Sequence, residues 1–357
     1  MLDLQASYEA VRITAGVYRR SGRTLRVGGR QRMEFVQALL DTDLSTAAAD
    51  VCVESAVVSD QGRPLGLAVV LIGDDQVDLV VEAPSEWFDA VVTASSHYDV
   101  TLGEDGATPV QVEGPRAWTV VADIGRRDIR HLGQRECVAA QVDGTPALLA
   151  RTGTTGEHGY LVLMSDDTGL ATLAARAEKV GGGLIDPAVL PRVWLESGHP
   201  AQTGQSGVLS QVRPGAQEWI GAALTATPVS TTTDPADSLV VEPPQALDLV
   251  AHHCVPVFFK DVDCPPVGSL AVVDGKVIGW VVVQTPRAGQ PDGLGLVMLD
   301  ERHTGIGTDI QVGSVAGRVV TQPLIGLLSH IEEVGAEPVL DPPASCCADP
   351  SVGWQLV

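Results

Sequence analysis

The chain has 357 residues, is 45% hydrophobic and carries a formal net charge of −22 at pH 7. With only Lys179, Lys260 and Lys276 as lysines, it lacks the basic face that nucleic acid or an anionic membrane requires of its main partner. The length suits two or three domains, and the apolar fraction suffices for a sizeable interior. Six cysteines without a regular framework predict reduced thiols. No signal-like start or membrane-length apolar run is read, so the expectation is a soluble cytoplasmic protein with a small-molecule substrate.

In chain order, Val11-Arg12-Ile13 and the stretch to Gly29 predict two strands around the Ser21-Gly22 turn. Residues 30–40 read as a helix with Met33, Val36, Leu39 and Leu40 on one face. Strands follow at 51–58, 67–72 and 77–81, then helices starting near Ser85 and Pro115. Strands at 138–142 and 147–150 flank Asp143-Gly144, a hairpin signal.

Arg151 to Tyr160 carries Gly153, Gly156 and Gly159 in a tight turn before the strand 160–164. Asp166 or Asp167 then caps a helix whose apolar positions are Leu170, Leu173, Ala174, Ala177 and Val180. Asp186-Pro187 starts another, interrupted by Pro191, where a kink is expected. It leads to Glu196 in an apolar neighbourhood. A buried carboxylate needs a partner, and a backbone amide meets that demand as well as a ligand does.

Residues 226–238 have the composition of a linker. Beyond it the pattern is β: 270–273 and 277–283 around Asp274-Gly275, then 294–299 and 308–320. The remainder, with Pro342-Pro343 and Cys346-Cys347, reads as a tail. His252-His253-Cys254 with Cys264 invites a metal reading, but adjacent histidines on a strand point to opposite faces, and no metal is expected.

Several segments in order resemble the glycine-cleavage T-protein family of tetrahydrofolate-dependent aminomethyltransferases and their demethylase and oxidase relatives. They are Gly22 to Asp43, Val112-Glu113-Gly114-Pro115, Arg151 to Tyr160, Trp194-Leu195-Glu196-Ser197-Gly198, Glu218 to Gly221, Cys254 to Val257 and Gly275 to Gly279. The resemblance implies an α+β fold, a three-domain cloverleaf with two N-terminal α+β domains of antiparallel sheets and a C-terminal β-barrel. It divides the chain into 1–225, a linker 226–238, a barrel 239–325 and a tail 326–357. It also implies tetrahydrofolate as cofactor, with Glu196 accepting paired hydrogen bonds from the pterin ring, and Arg213 and Tyr160 as further cofactor contacts.

The family's acidic pair is replaced by Gly66-Leu67, its following asparagine by Ala83, and the aromatic of its turn motif by Thr154. Leucine exchanges no proton, so ordinary glycine cleavage is not expected. His158 and His199 flank the two best motifs and are the candidate catalytic groups, with His97 a further histidine to inspect. The reading is a tetrahydrofolate-dependent one-carbon transferase of altered substrate. The alternatives are a non-catalytic folate-binding or interaction protein, or a folate-free enzyme reusing the central pocket.

Overall fold

In the computed structural model, residues 3–59, 64–103, 107–125, 128–165, 168–198, 224–226, 252–321 and 324 are described. The chain opens with a helix, α1 (Leu4–Ile13), where the alternating reading expected a strand at Val11-Ile13. The Asp3 side chain caps it by accepting Gln5 N at 3.0 Å. Tyr8 and Val11, three residues apart, bury the same face, so the helical period prevails over a three-residue alternation.

The elements that follow are β1 (Gly16–Arg19), β2 (Arg23–Gly28), α2 (Arg32–Ala38), β3 (Val51–Val58), β4 (Pro64–Ile72), β5 (Gln76–Glu82), α3 (Ser85–Ser95), β6 (Thr101–Gly103), β7 (Thr108–Glu113) and α4 (Ala117–Val121). Next come β8 (Cys137–Val142), β9 (Thr145–Ala150), β10 (Gly159–Met164), α5 (Thr168–Glu178), β11 (Gly183–Leu184) and α6 (Leu190–Ser197).

They build two sheets. The five-stranded one runs β3-β4-β5-β2-β6, all antiparallel, and α2 and α3 cover one face through Phe35, Val36, Trp87 and Phe88. The six-stranded one runs β11-β1-β7-β10-β9-β8, parallel only between β1 and β11. Val17, Val110, Val112, Tyr160, Val162 and Met164 pack on one of its faces with residues of α4 and α5. The other face meets the five-stranded sheet: Leu161, Leu163, Cys137 and Ala150 pack against Cys52, Val69, Leu71 and Val80. Period-two alternation thus splits β10 between two cores. That explains why its burial is unbroken.

The C-terminal part comprises β12 (Leu224–Ala226), β13 (His252–Phe259), β14 (Leu270–Val273), β15 (Lys276–Gln284), β16 (Gly293–Asp300), β17 (Asp309–Val312) and β18 (Val315–Val319). β13 pairs with both β16 and β18, which closes six strands into a barrel, with β12 added on the outside of the ring order. Both expected hairpins form: Asp143-Gly144 and Asp274-Gly275 hold positive φ values of 48°, 83°, 50° and 75° at their tips. Fold class is therefore α+β with antiparallel sheets and a C-terminal barrel. The linker at 226–238 and the tail at 326–357 lie outside the described residues, apart from Ala226. No helix among the described residues is long and apolar enough to cross a membrane.

Candidate active site

The three parts converge on α1 and α6. Tyr8, Val11, Tyr18, Leu190, Val193 and Trp194 form a buried cluster that the barrel joins through Ala288. Asp186 starts this segment by accepting Ala188 N, and Pro191 stands in the first turn of α6. There its missing N–H is harmless, so Pro191 opens α6, just after a 3-10 turn at Pro187–Val189, instead of interrupting it. Gly198, at φ 77°, terminates the helix in the left-handed conformation.

Glu196 is 2% exposed, and its partners come from the chain itself. Oε2 accepts Tyr8 Oη at 2.9 Å and Arg12 Nη2 at 3.1 Å, and Oε1 accepts Arg192 Nε at 2.6 Å. Arg12 also donates to the carbonyls of Thr155 and Val193, each at 2.8 Å, and Arg192 to that of Asp292, at 2.8 Å. The carboxylate thus ties α1, α6, the glycine turn and the barrel together. Burial and the adjacent Glu196 charge push the Tyr8 phenol well above its ordinary value. A pterin's paired donors would find both oxygens already engaged, so the Glu196 side chain as it stands does not fit the cofactor contact expected of it.

A second carboxylate, not anticipated from the sequence, lies on the face of the six-stranded sheet turned away from α4 and α5. Glu113, at the end of β7, is fully buried and accepts Thr154 N at 2.5 Å, Thr154 Oγ1 at 3.0 Å and Tyr18 Oη at 3.3 Å. Thr154 Oγ1 in turn accepts the Trp194 indole N–H at 2.7 Å. The short side chain at 154 therefore leaves room for an indole that α6 delivers. Burial, then the Glu113 charge, raises the Tyr18 pKa. The turn depends on glycine at two points: a Cβ on Gly159 would meet Gly153 Cα at 2.2 Å, and Gly156 has φ 79°.

The other predicted residues separate. Tyr160 does not join Glu196: it projects into the core beneath α4 and α5, on the face opposite Tyr18 and Glu113. Its hydroxyl is buried without a partner, and burial raises its pKa to about 12. That placement follows from strand parity, because Tyr160 is paired with Val112 while Glu113 lies one residue away. His158 is half-buried just before β10 and is not among the partners of Glu196; its carbonyl accepts Gly114 N at 2.9 Å. His97 is exposed after α3. Arg213 and His199 lie outside the described residues.

At the substituted acidic pair, a Cβ on Gly66 would stand 1.9 Å from Glu82 O, so the backbone has closed over that position. Leu67 pairs with Glu82 across β4 and β5, and by alternation both sit on the face of Val69 and Val80, toward the other sheet. Glu82 Oε1 is enclosed with no hydrogen-bond partner. An acid is thus adjacent to Leu67 in space though fifteen positions away in sequence, a relation that register alone creates.

No group of three or more metal-ligating side chains occurs among the described residues. Cys254 and Cys264 belong to different cores, and burial pushes each thiol up to about 12. A cleft of about 420 Å³ between α1 and residues 181–184 contains none of the predicted site residues.

Residues 3–180 match the GCVT N-terminal domain family. The chain belongs to the glycine-cleavage T-protein family. An aminomethyltransferase of Clostridium botulinum (strain Loch Maree / Type A3) is 24% identical over 309 residues, covering 80% of this chain and 78% of the relative. One from Thermosynechococcus vestitus (strain NIES-2133 / IAM M-273 / BP-1) is 23% identical over 335 residues, covering 85% and 82%. The crystal structure of glycine cleavage system aminomethyltransferase T from Bartonella henselae superposes with a TM-score of 0.65 at 16% identity, covering 90% of this chain and 89% of that one. At that identity the superposition establishes the fold. As a T-protein family member, the chain has aminomethyltransferase-type architecture and a transferase lineage that is tetrahydrofolate-dependent in general.

Proposed function

We propose that this protein is a folate-dependent one-carbon transferase, moving a methyl or methylene group, whose substrate is not that of ordinary glycine cleavage. Family membership over the N-terminal half carries the transferase part of the reading. The altered substrate is supported by the closure of the backbone at Gly66, which leaves no space for the family's acid, and by Leu67 beside it. Glu82 is the group we assign to proton handling in its stead: its free carboxylate oxygen lies across the strand pair from Leu67. A carboxylate without a fixed donor is able to accept or release a proton at a substrate nitrogen.

One observation favours a second reading, a folate-free reaction in the same opening. Tyr8, Arg12 and Arg192 already occupy both oxygens of Glu196. Calorimetric titration of the full chain with tetrahydrofolate separates the two. Saturable binding supports the first; absence of heat and of thermal stabilisation at millimolar folate removes it. Folate binding without turnover of any one-carbon donor would instead identify a non-catalytic folate-binding protein.

A further inference from the structure

Arg20 follows β1 and is 5% exposed, yet its surroundings give the guanidinium little to bind. Nη1 donates one long hydrogen bond, 3.4 Å to Gln111 Oε1, and Nε is enclosed with no partner. Nη2 has no acceptor among the described residues and is not among the enclosed atoms, so that corner of the fork meets solvent. The contrast with the other buried arginines is sharp. Arg12 and Arg192 share a carboxylate and reach three carbonyls between them, whereas no carboxylate among the described residues pairs with Arg20. Buried guanidinium donors left without acceptors oppose folding.

The acids in its neighbourhood are committed elsewhere. Glu113 accepts from Thr154 and Tyr18, and Glu54 accepts Thr152 Oγ1 at 2.9 Å. Arg20 acts electrostatically on Tyr18 and on Cys52, which places it where β1, β7 and β3 approach one another. Gln111 is held from its other end, its Nε2 donating to Thr152 O at 2.7 Å, so the amide facing Arg20 is fixed.

We propose that Arg20 receives the carboxylate of a small monoanionic ligand in this polar corner between the two sheets. A planar fork with unused donors matches a carboxylate in two parallel hydrogen bonds. The charge count selects a monoanion: Glu54 and Glu113 lie nearby, and the other cation acting on Cys52, Arg135, is exposed. A phosphate dianion would face two carboxylates with one buried cation to hold it. The assignment makes the substrate of the proposed transferase a small carboxylic acid; it rests on that reading only in calling the ligand a substrate, since the binding itself requires no folate.

The test is thermal denaturation of the full chain at constant ionic strength, titrated with acetate, propionate and benzoate. Acetamide, benzamide and inorganic phosphate are the controls. The carboxylates should raise Tm saturably, by roughly 5 °C at a hundred times Kd, with no response to the amides or phosphate. Arg20→Met, which removes the guanidinium, should abolish the carboxylate response. Arg20→Lys, which keeps the charge and loses the fork, should weaken carboxylate affinity about tenfold or more. An Arg20→Met protein that keeps the carboxylate response would overturn the proposal. So would a phosphate response equal to that of acetate, or wild-type protein indifferent to every carboxylate at 100-millimolar levels or about that range. A negative folate titration leaves these outcomes unchanged, so the two readings fail separately.

Discussion

Removing the Glu196 carboxylate should unfold the centre of this protein before it affects any ligand. Glu196→Ala strips the shared counter-charge from Arg12 and Arg192, which are 7% and 3% exposed. Each keeps its carbonyl partners, so neither loses every hydrogen bond, but two cations remain buried with no anion between them. Breaking a buried pair in this way costs about 3–5 kcal/mol. At roughly 2–4 °C per kcal/mol for a large domain, Tm should fall by about 6–20 °C. Urea denaturation followed by circular dichroism measures the change without folate present. A double-mutant cycle with Arg192→Ala should return a coupling of about 0.5–3 kcal/mol between the two side chains. If Glu196→Ala stays within about 1 kcal/mol of wild type, the carboxylate is not a structural tie, and its expected pterin contact regains its case.

Four further outcomes are expected. Glu82→Gln should lower one-carbon turnover by about 10²- to 10⁴-fold with little change in Tm, read by single-turnover kinetics beside thermal melts. Gly66→Asp, which restores an acid in sequence, should abolish folding or lower stability by more than about 3 kcal/mol, since its Cβ would meet Glu82 O at 1.9 Å; expression and melting measure it. Cys52, Cys137, Cys254 and Cys264, whose thiols are raised to about 11 or 12 chiefly by burial, should resist alkylation at pH 8 until the protein is unfolded, as read by peptide mass spectrometry. Asp300 is held at about 2, below its ordinary 3.8, by its hydrogen bonds with Arg302. Because the folded value is the lower one, its contribution is complete above pH 4 or about that value and fades as pH falls toward 2; Asp300→Asn should remove this part of the acid sensitivity in a pH-dependent melt.

Much of the architecture was legible locally. The two Asp-Gly hairpins, the strands at 51–58 and 294–299 and the amphipathic face of α2 follow from turn chemistry and periodicity, which act over a few residues. The motif order also identified the family. Where local signals competed, the reading went astray. The segment Val11-Arg12-Ile13 alternates like a strand but lies in a helix, and Pro191 reads as a break but opens one.

The site was far less legible, because its relations cross long sequence distances. The Arg192–Glu196 pair was visible at helical spacing, i and i+4, yet Tyr8 and Arg12 lie 188 and 184 residues from the carboxylate they hold. Strand parity sent Tyr160 to the helix side of its sheet and kept Glu113 on the inner side. Strand register put Glu82 opposite Leu67. Sequence by itself determined which residues are apolar, where the chain turns and that a carboxylate at 196 would demand a partner. Only the tertiary structure decided which partner it has and which buried cation, Arg20, stands without a carboxylate partner among the described residues, because a charge is satisfied by what stands next to it in space.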